Sequence, residues 1–309
     1  MIRAPRTGGR ESARAAVAAL ALLTASAASA GCGLGEGERS EGEATITVTR
    51  DYGAEELLDA TTEDPPASET AMRMLEREAD IETRYGGGFV QSIDGLSGGT
   101  DDGRRSDWFF YVNGDDAGVG AAEVDVKAGD RIWWDLHDWT DVMRVPAVVG
   151  SFPAPFATEG GEVSCTEPAG ACDDVEAALA DAAGEGEGEE PVEVLAGTWE
   201  QIRDEPAADL LAGAPARSGV FARFEEGADA TELVLYDETL AERERLGPGA
   251  GLVAAVEGPD GAPVWLVTGT DSDGVSAAAE LLDEDSLTSH FAVATTAEGD
   301  PVPIPVAGP

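Results

Sequence analysis

The residues with most chemistry to offer lie close together in the chain. Trp108, Trp133, Trp134 and Trp139, four of the six tryptophans, fall within one short stretch, and Phe109, Phe110 and Tyr111 join them. Rings at that density offer a stacking surface to a flat ligand, with the indole N–H and phenol O–H as polar handles. On an extended segment alternate side chains point to opposite faces, so Trp108 and Phe110 oppose Phe109 and Tyr111. Both faces of such a strand are aromatic. A small sheet buries one face in its own core, and the other must meet a ligand, a partner or another part of the chain. The ligand-binding set this points to is Tyr85, Trp108, Phe110, Tyr111, Trp134 and His137.

Other polar groups are weaker candidates. Asp135, His137, Asp138 and Asp141 form an acidic patch with one imidazole. A cation would need their oxygens to converge, and Asp135 and His137 do alternate onto one strand face. A solvated strand end gives the same pattern, and no metal site is expected. Asp271-Ser272-Asp273-Gly274 stands between a strand and a helix, where Asp and Ser cap helices locally and where open α/β sheets hold ligands. Signals for catalysis are thin. The chain has two histidines, His137 and His290, and no Gly-x-Ser-x-Gly elbow, His-Glu-x-x-His or phosphate loop. Carboxylate pairs suited to glycoside hydrolysis are always available among 62 acids, so they carry no signal. Neither a catalytic residue nor a cofactor is expected. An extracellular enzyme using acids near Asp271 and Asp273 stands as an alternative.

The charge balance is 62 Asp+Glu against 19 Lys+Arg, net −43. Such a surface repels nucleic acid and anionic lipid headgroups. The first residues contrast with it. Arg3, Arg6, Arg10 and Arg14 precede an apolar run, Ala15 to Ala25, that is too short to span a bilayer. A small-residue stretch, Ser26 to Gly31, then leads to Cys32. Positive, apolar, then small is the pattern of an export signal. Small residues before a cysteine resemble a bacterial lipobox, with Cys32 as the lipidated residue and the membrane as partner through the lipid. Ser29 stands where leucine is usual, so cleavage after Ala28 or Ala30 is the alternative. The expected location is the outer face of the cytoplasmic membrane or the cell surface. In that oxidising compartment Cys165 and Cys172 are expected to form a local disulfide.

These groups need elements to position them. Residues 1–32 read as the signal and 33–44 as a Gly/Glu-rich tether. Residues 45–141 read as one module. Thr45 to Thr49 alternates as a strand, Ser68 caps a helix running to about Ala79 with Met72 and Leu75 inward, and Trp108–Val112, Val124–Val126 and Arg131–Leu136 follow as strands. Residues 142–309 read as a second domain. Val145 to Phe152 is expected as its first strand, Asp173 to Ala183 as a helix and Gly184 to Glu190 as an acidic low-complexity loop. Helix is expected over Thr198–Ala212, helix or turn over Glu238–Leu246 and helix over Gly274–Leu282. Strands are expected near 192–195, 219–224, 232–236, 252–256, 264–268 and 290–294. The fold class is α+β: a β-grasp-like N-terminal domain, then a small α/β layered domain.

Three segments carry a family resemblance: Phe89-Val90-Gln91-Ser92-Ile93-Asp94-Gly95-Leu96, Trp108-Phe109-Phe110-Tyr111-Val112-Asn113-Gly114, and Val126-Lys127-Ala128-Gly129-Asp130-Arg131-Ile132-Trp133-Trp134. Their order resembles the bacterial domain family related to the C-terminal domain of transcobalamin and intrinsic factor. The resemblance covers about a third of the chain. It implies a β-grasp-like fold of the soluble-ligand-binding type, and a ligand-binding or interaction module with a corrinoid as the best-known ligand of its relatives. The large helical toroid that completes the corrinoid site in transcobalamins has no counterpart in this sequence. An acidic envelope scaffold, with the aromatic face closed between domains, is the competing expectation.

Overall fold

Alternation of apolar and polar residues sets the first strand, β1 (Glu43–Arg50), with Ala44, Ile46 and Val48 fully buried on one face. The computed structural model describes residues 39–166, 169–183, 191–228 and 230–308. Cys32, the signal stretch and the Gly184–Glu190 loop lie outside the described residues. A tight turn sends β1 back as β2 (Glu55–Glu63), an edge strand whose sequence is acidic and largely exposed. Helix α1 (Ala71–Glu78) follows, capped by the Thr70 side chain accepting from Arg73 N rather than by Ser68. Its buried face is Ala71, Met72, Met74 and Leu75. Then come the short strands β3 (Ile81–Arg84), β4 (Phe89–Ile93), β5 (Leu96–Ser97) and β6 (Gly99–Asp101), the aromatic strand β7 (Arg104–Val112), β8 (Asp115–Asp116) and β9 (Arg131–Asp138).

The main sheet of this half runs β2-β1-β9-β7-β6, with β8 on β7; β3, β4 and β5 form a separate small sheet. β1 and β9 are parallel, which places the longest-range strand pairing of the half at its centre. The strand β9 is buried on both faces. Ile132, Trp134 and Leu136 pack against α1, while Trp133, Asp135 and His137 face the other way. Strands covered on both sides read as unbroken apolar runs, and Ile132-Trp133-Trp134 is one. Val124–Val126 is not a strand; Asp125 makes only a bridge to Thr70.

In the second half a short helix, α2 (Ala154–Glu159), leads to β10 (Gly161–Cys165), α3 (Ala169–Ala183) and β11 (Val192–Thr198). Cys165 and Cys172 are joined as a disulfide, tying the end of β10 to α3. The helix expected over Thr198–Ala212 is broken. α4 (Trp199–Ile202) stops short, and a 3-10 turn at Ala208–Ala212 follows after Pro206, which lacks the N–H a continuing helix needs. Next come α5 (Pro215–Ser218) and a three-stranded meander, β12 (Ala222–Glu226), β13 (Thr231–Tyr236) and β14 (Glu242–Leu246). β14 corrects the helix-or-turn expectation for 238–246: Arg245 bridges Glu225 on β12 and Glu232 on β13, and these cross-strand ion pairs belong to a sheet. The chain closes with β15 (Gly251–Glu257), β16 (Pro263–Gly269), α6 (Ser272–Ala279), α7 (Glu284–Leu287), β17 (Ala292–Thr295) and β18 (Pro301–Ile304). The second large sheet runs β10-β11-β16-β15-β17-β18, parallel at its first three strands and antiparallel beyond. The stretch 145–152 contributes no strand, only a bridge from Ala147 to Asp115.

The fold is thus a mixed α+β architecture with several sheets. The described residues pack as one unit. Helices α2, α3 and α6 cover one face of the second large sheet around Phe156, Val175 and Trp265. Its other face shares a core with the β12–β14 meander and with Tyr52, Tyr111 and Trp133 of the first sheet. Arg144 stitches the rim of that seam, reaching Asp116 and Glu257 at 2.8 Å each.

One carboxyl near this rim makes stability depend on pH. Burial, with the negative charge of Asp116 beside it, pushes Asp115 up from 3.8 to about 6. The folded protein therefore holds a proton that the unfolded chain has released between those values. Stability falls as pH rises through that window and stays lower above it. Asp115→Asn should remove this component. After allowance for solvent screening, the variant should exceed the wild type by on the order of 1 kcal/mol above about pH 7. Below about pH 4 it should not. Thermal melts of both proteins across that range would show it, and a constant difference at every pH would count against it.

Candidate functional site

The two faces of β7 and β9 have different fates. Phe109, Tyr111, Trp133, Asp135 and His137 point into the seam. There His137 lies between Tyr52 and Phe109, stacked at 4.6 and 4.3 Å, and Phe291 stands edge-on to it at 5.3 Å. Asp135, fully buried, accepts from Thr49 Oγ1 at 2.5 Å, Tyr52 N at 3.1 Å and Gly53 N at 2.9 Å, and pairs with His137 Nδ1 at 2.9 Å. Trp133 Nε1 donates to Thr49 Oγ1. The turn that supplies the two backbone N–H groups has Asp51, Tyr52 and Gly53 all at positive φ, a conformation that aims successive amides at one anion. The anion here is internal. With its donors all drawn from the protein, this cluster reads as structure and not as a binding centre.

The acidic patch does not converge on a cation. Asp138 and Asp141 turn outward, and each takes one nitrogen of Arg104 at 2.9 Å. Among the described residues no three His, Cys, Asp or Glu side chains group as metal ligands. Asp271 is occupied as well: its carboxylate caps α6 through Gly274 N and accepts from Gly249 N.

The opposite face carries the cavity. Trp108, Phe110 and Trp134 form its wall on the sheet, Phe89 on β4 closes one side, and Val119 and Met143 stand at its mouth. Its volume is about 500 Å³, within the range that takes a drug-sized ligand. Phe110 stacks on Trp134 at 4.6 Å, and Trp108 Nε1 donates to Leu96 O. The Trp134 indole N–H is buried without an acceptor. A second cavity of about 510 Å³ adjoins the first and shares Phe89, Asp107 and Trp139 with it. Tyr85, Arg84 and Arg105 line this extension, and the Arg105 guanidinium lies 3.9 Å above the Trp139 ring.

The six side chains proposed from sequence therefore separate. Trp108, Phe110 and Trp134 line the first cavity, although both tryptophans are mostly buried in the core of their own half. Tyr85 is 88% exposed and lines the extension. Tyr111 and His137 lie on the seam face and meet neither cavity. Period-two alternation already puts Tyr111 opposite Phe110. His137 falls on the Trp133 face by the same parity. Phe89, Val119, Trp139, Met143, Arg84 and Arg105 were missed. The last aromatic of the cluster, Trp139, was the one available signal among them; Val119 and Met143 are single apolar residues in polar loops.

No curated protein matches the chain. Among solved structures, one from Ruminococcus gnavus ATCC 29149, described as a putative metal binding protein, is similar at 22% identity with a TM-score of 0.25. The match covers 32% of this chain and 98% of that one. Residues 68–138, from the approach to α1 to the end of β9, match the family described as Domain of unknown function (DUF4430).

Proposed function

We propose that this chain is an exported, lipid-anchored cell-surface protein that captures a small, flat, largely apolar ligand in the aromatic groove of its first half. One observation carries the reading. The large apolar side chains exposed among the described residues are Leu57, Tyr85, Val119 and Met143, and three of these four border the same groove. Scattered exposed apolar residues need no explanation, but a cluster around a concavity marks an interaction site. The N-terminal pattern ending at Cys32 supports export and anchoring. A binding role without catalysis fits the internal use of Asp135, His137 and Asp271.

The resemblance to the transcobalamin C-terminal domain keeps a corrinoid among the ligands to test. A corrinoid is larger than the molecules such a cavity encloses, and it would meet the groove with one edge. Tryptophan fluorescence of the purified protein, titrated with naphthalene-2-methanol and with cobinamide, tests the reading. Saturable quenching by at least one of them is expected. Met143→Asp should weaken it about tenfold, through loss of apolar contact area at the mouth, with thermal unfolding unchanged. If neither probe saturates, or if Met143→Asp binds as the wild type does, the groove is not a ligand site.

A further inference from the structure

The extension of the groove runs against the charge of the molecule, with two arginines to one carboxylate, and the Asp116 that lines the first cavity is paired with Arg144. With 62 acids to 19 cations, a guanidinium here has carboxylates in abundance. Arg50, Arg77, Arg104, Arg131, Arg144, Arg243 and Arg245 each take one or more. Arg84 and Arg105 take none among the described residues, and both line the extension beside Trp139. Arg73 and Lys127 also lack a carboxylate among the described residues, but neither lines the groove. The one carboxylate lining the extension, Asp107, is held by the Trp139 indole N–H at 3.0 Å.

We infer that the groove selects an anionic aromatic molecule: a flat ring system in the cavity of Trp108, Phe110 and Trp134, carrying a carboxylate that reaches Arg84 and Arg105. This deepens the reading of the groove as a ligand site and rests on it. Two arginines with no carboxylate partner are a ready receptor for a carboxylate, since charge-assisted bonds to guanidinium are the strong ones. Nearby surface negative charge would otherwise turn an anion away. Holding two cations unpaired at this one concavity reverses the local preference. Arg105 is exposed but is also positioned by its stacking on Trp139, so its charge lies beside the ring surface.

Three probes with one ring system separate the possibilities: 2-naphthoate, naphthalene-2-methanol and 2-naphthylmethylammonium, titrated into the full protein at low and at high salt. The naphthoate should bind most tightly, about tenfold better than the neutral alcohol, with the cation weakest. The preference should shrink as salt rises. In the double variant Arg84→Gln/Arg105→Gln the naphthoate should fall to within about twofold of the alcohol, while the alcohol itself binds nearly as before. Arg84→Lys/Arg105→Lys should recover part of the preference, because it restores the charge but not the planar fork. Equal or tighter binding of the alcohol or the cation overturns the anion inference and leaves the groove as a ligand site. An anion preference that survives the double Gln variant also overturns it. Failure of all three probes removes the ligand reading itself.

Discussion

Phe291→Ala is expected to destabilise the protein by about 3–5 kcal/mol, the range for emptying a buried phenyl site that cannot collapse. Phe291 is 3% exposed and meets Tyr52 and Trp133 at 5.1 Å, His137 at 5.3 Å and Tyr111 at 5.7 Å, each edge-on. Four rings of the first half thus close on one ring of the second. The surrounding strands are fixed by their ladders, so the void cannot be filled by a small shift. A drop in melting temperature of about 5–9 °C follows from that cost. Phe291→Leu should lose less, since most of the volume remains. If Phe291→Ala melts within about 2 °C of the wild type, the seam adds little cohesion and the two halves stand on their own cores.

The second large effect is at Asp135. Asp135→Ala should cost about 3–5 kcal/mol. It leaves two backbone N–H groups without their acceptor, leaves the Thr49 hydroxyl only the Trp134 carbonyl at 3.4 Å, and removes the carboxylate beside the buried His137. It also releases the turn at Asp51–Gly53, where two non-glycine residues hold positive φ only because the structure around them over-determines it. Asp135→Asn keeps one acceptor oxygen in place and should cost less, about 1–3 kcal/mol. Urea titrations of the three proteins would rank them wild type, Asn, Ala. An Ala variant as stable as the wild type would show that the internal anion is dispensable.

Much of the architecture was legible because burial leaves a pattern. β1 shows clean alternation, α1 shows Met72 and Leu75 on one stripe, and Ile132-Trp133-Trp134 has the unbroken apolar run of a central strand. The elements that escaped are those whose side chains do not record burial. β2, with the sequence Glu55-Glu56-Leu57-Leu58-Asp59-Ala60-Thr61-Thr62-Glu63, is an edge strand held by backbone pairing to β1, and its composition resembles a loop. In β14 the alternating charges of Glu242 to Arg245 suit a helix surface as well as a sheet; the partners that decide it, Glu225 and Glu232, lie on other strands. For the site, alternation separated the two aromatic faces of β7 correctly. It could not say which face the second half would cover, because that depends on Phe291 and on Phe221, which stands edge-on to Tyr52 at 5.0 Å, both far along the chain. The ligand set read from sequence mixes the two faces: Tyr111 and His137 have the parity of the covered face, Phe110 and Trp134 that of the groove. The unpaired state of Arg84 and Arg105 is likewise a property of distance in space, invisible in a string of letters.

The seam has a consequence for how the protein comes into being. A chain made from its N-terminus completes β9 long before Phe291 is available. Until then one side of the aromatic sheet, with Tyr52, Phe109, Tyr111 and Trp133, is bare, and such a surface is prone to intermolecular association. The excess of acid in the sequence gives the waiting intermediate a reason to stay apart from its copies: like charges repel, and that repulsion acts before any ring has found its partner. On this view the negative charge protects the half-made molecule as much as it decorates the finished one.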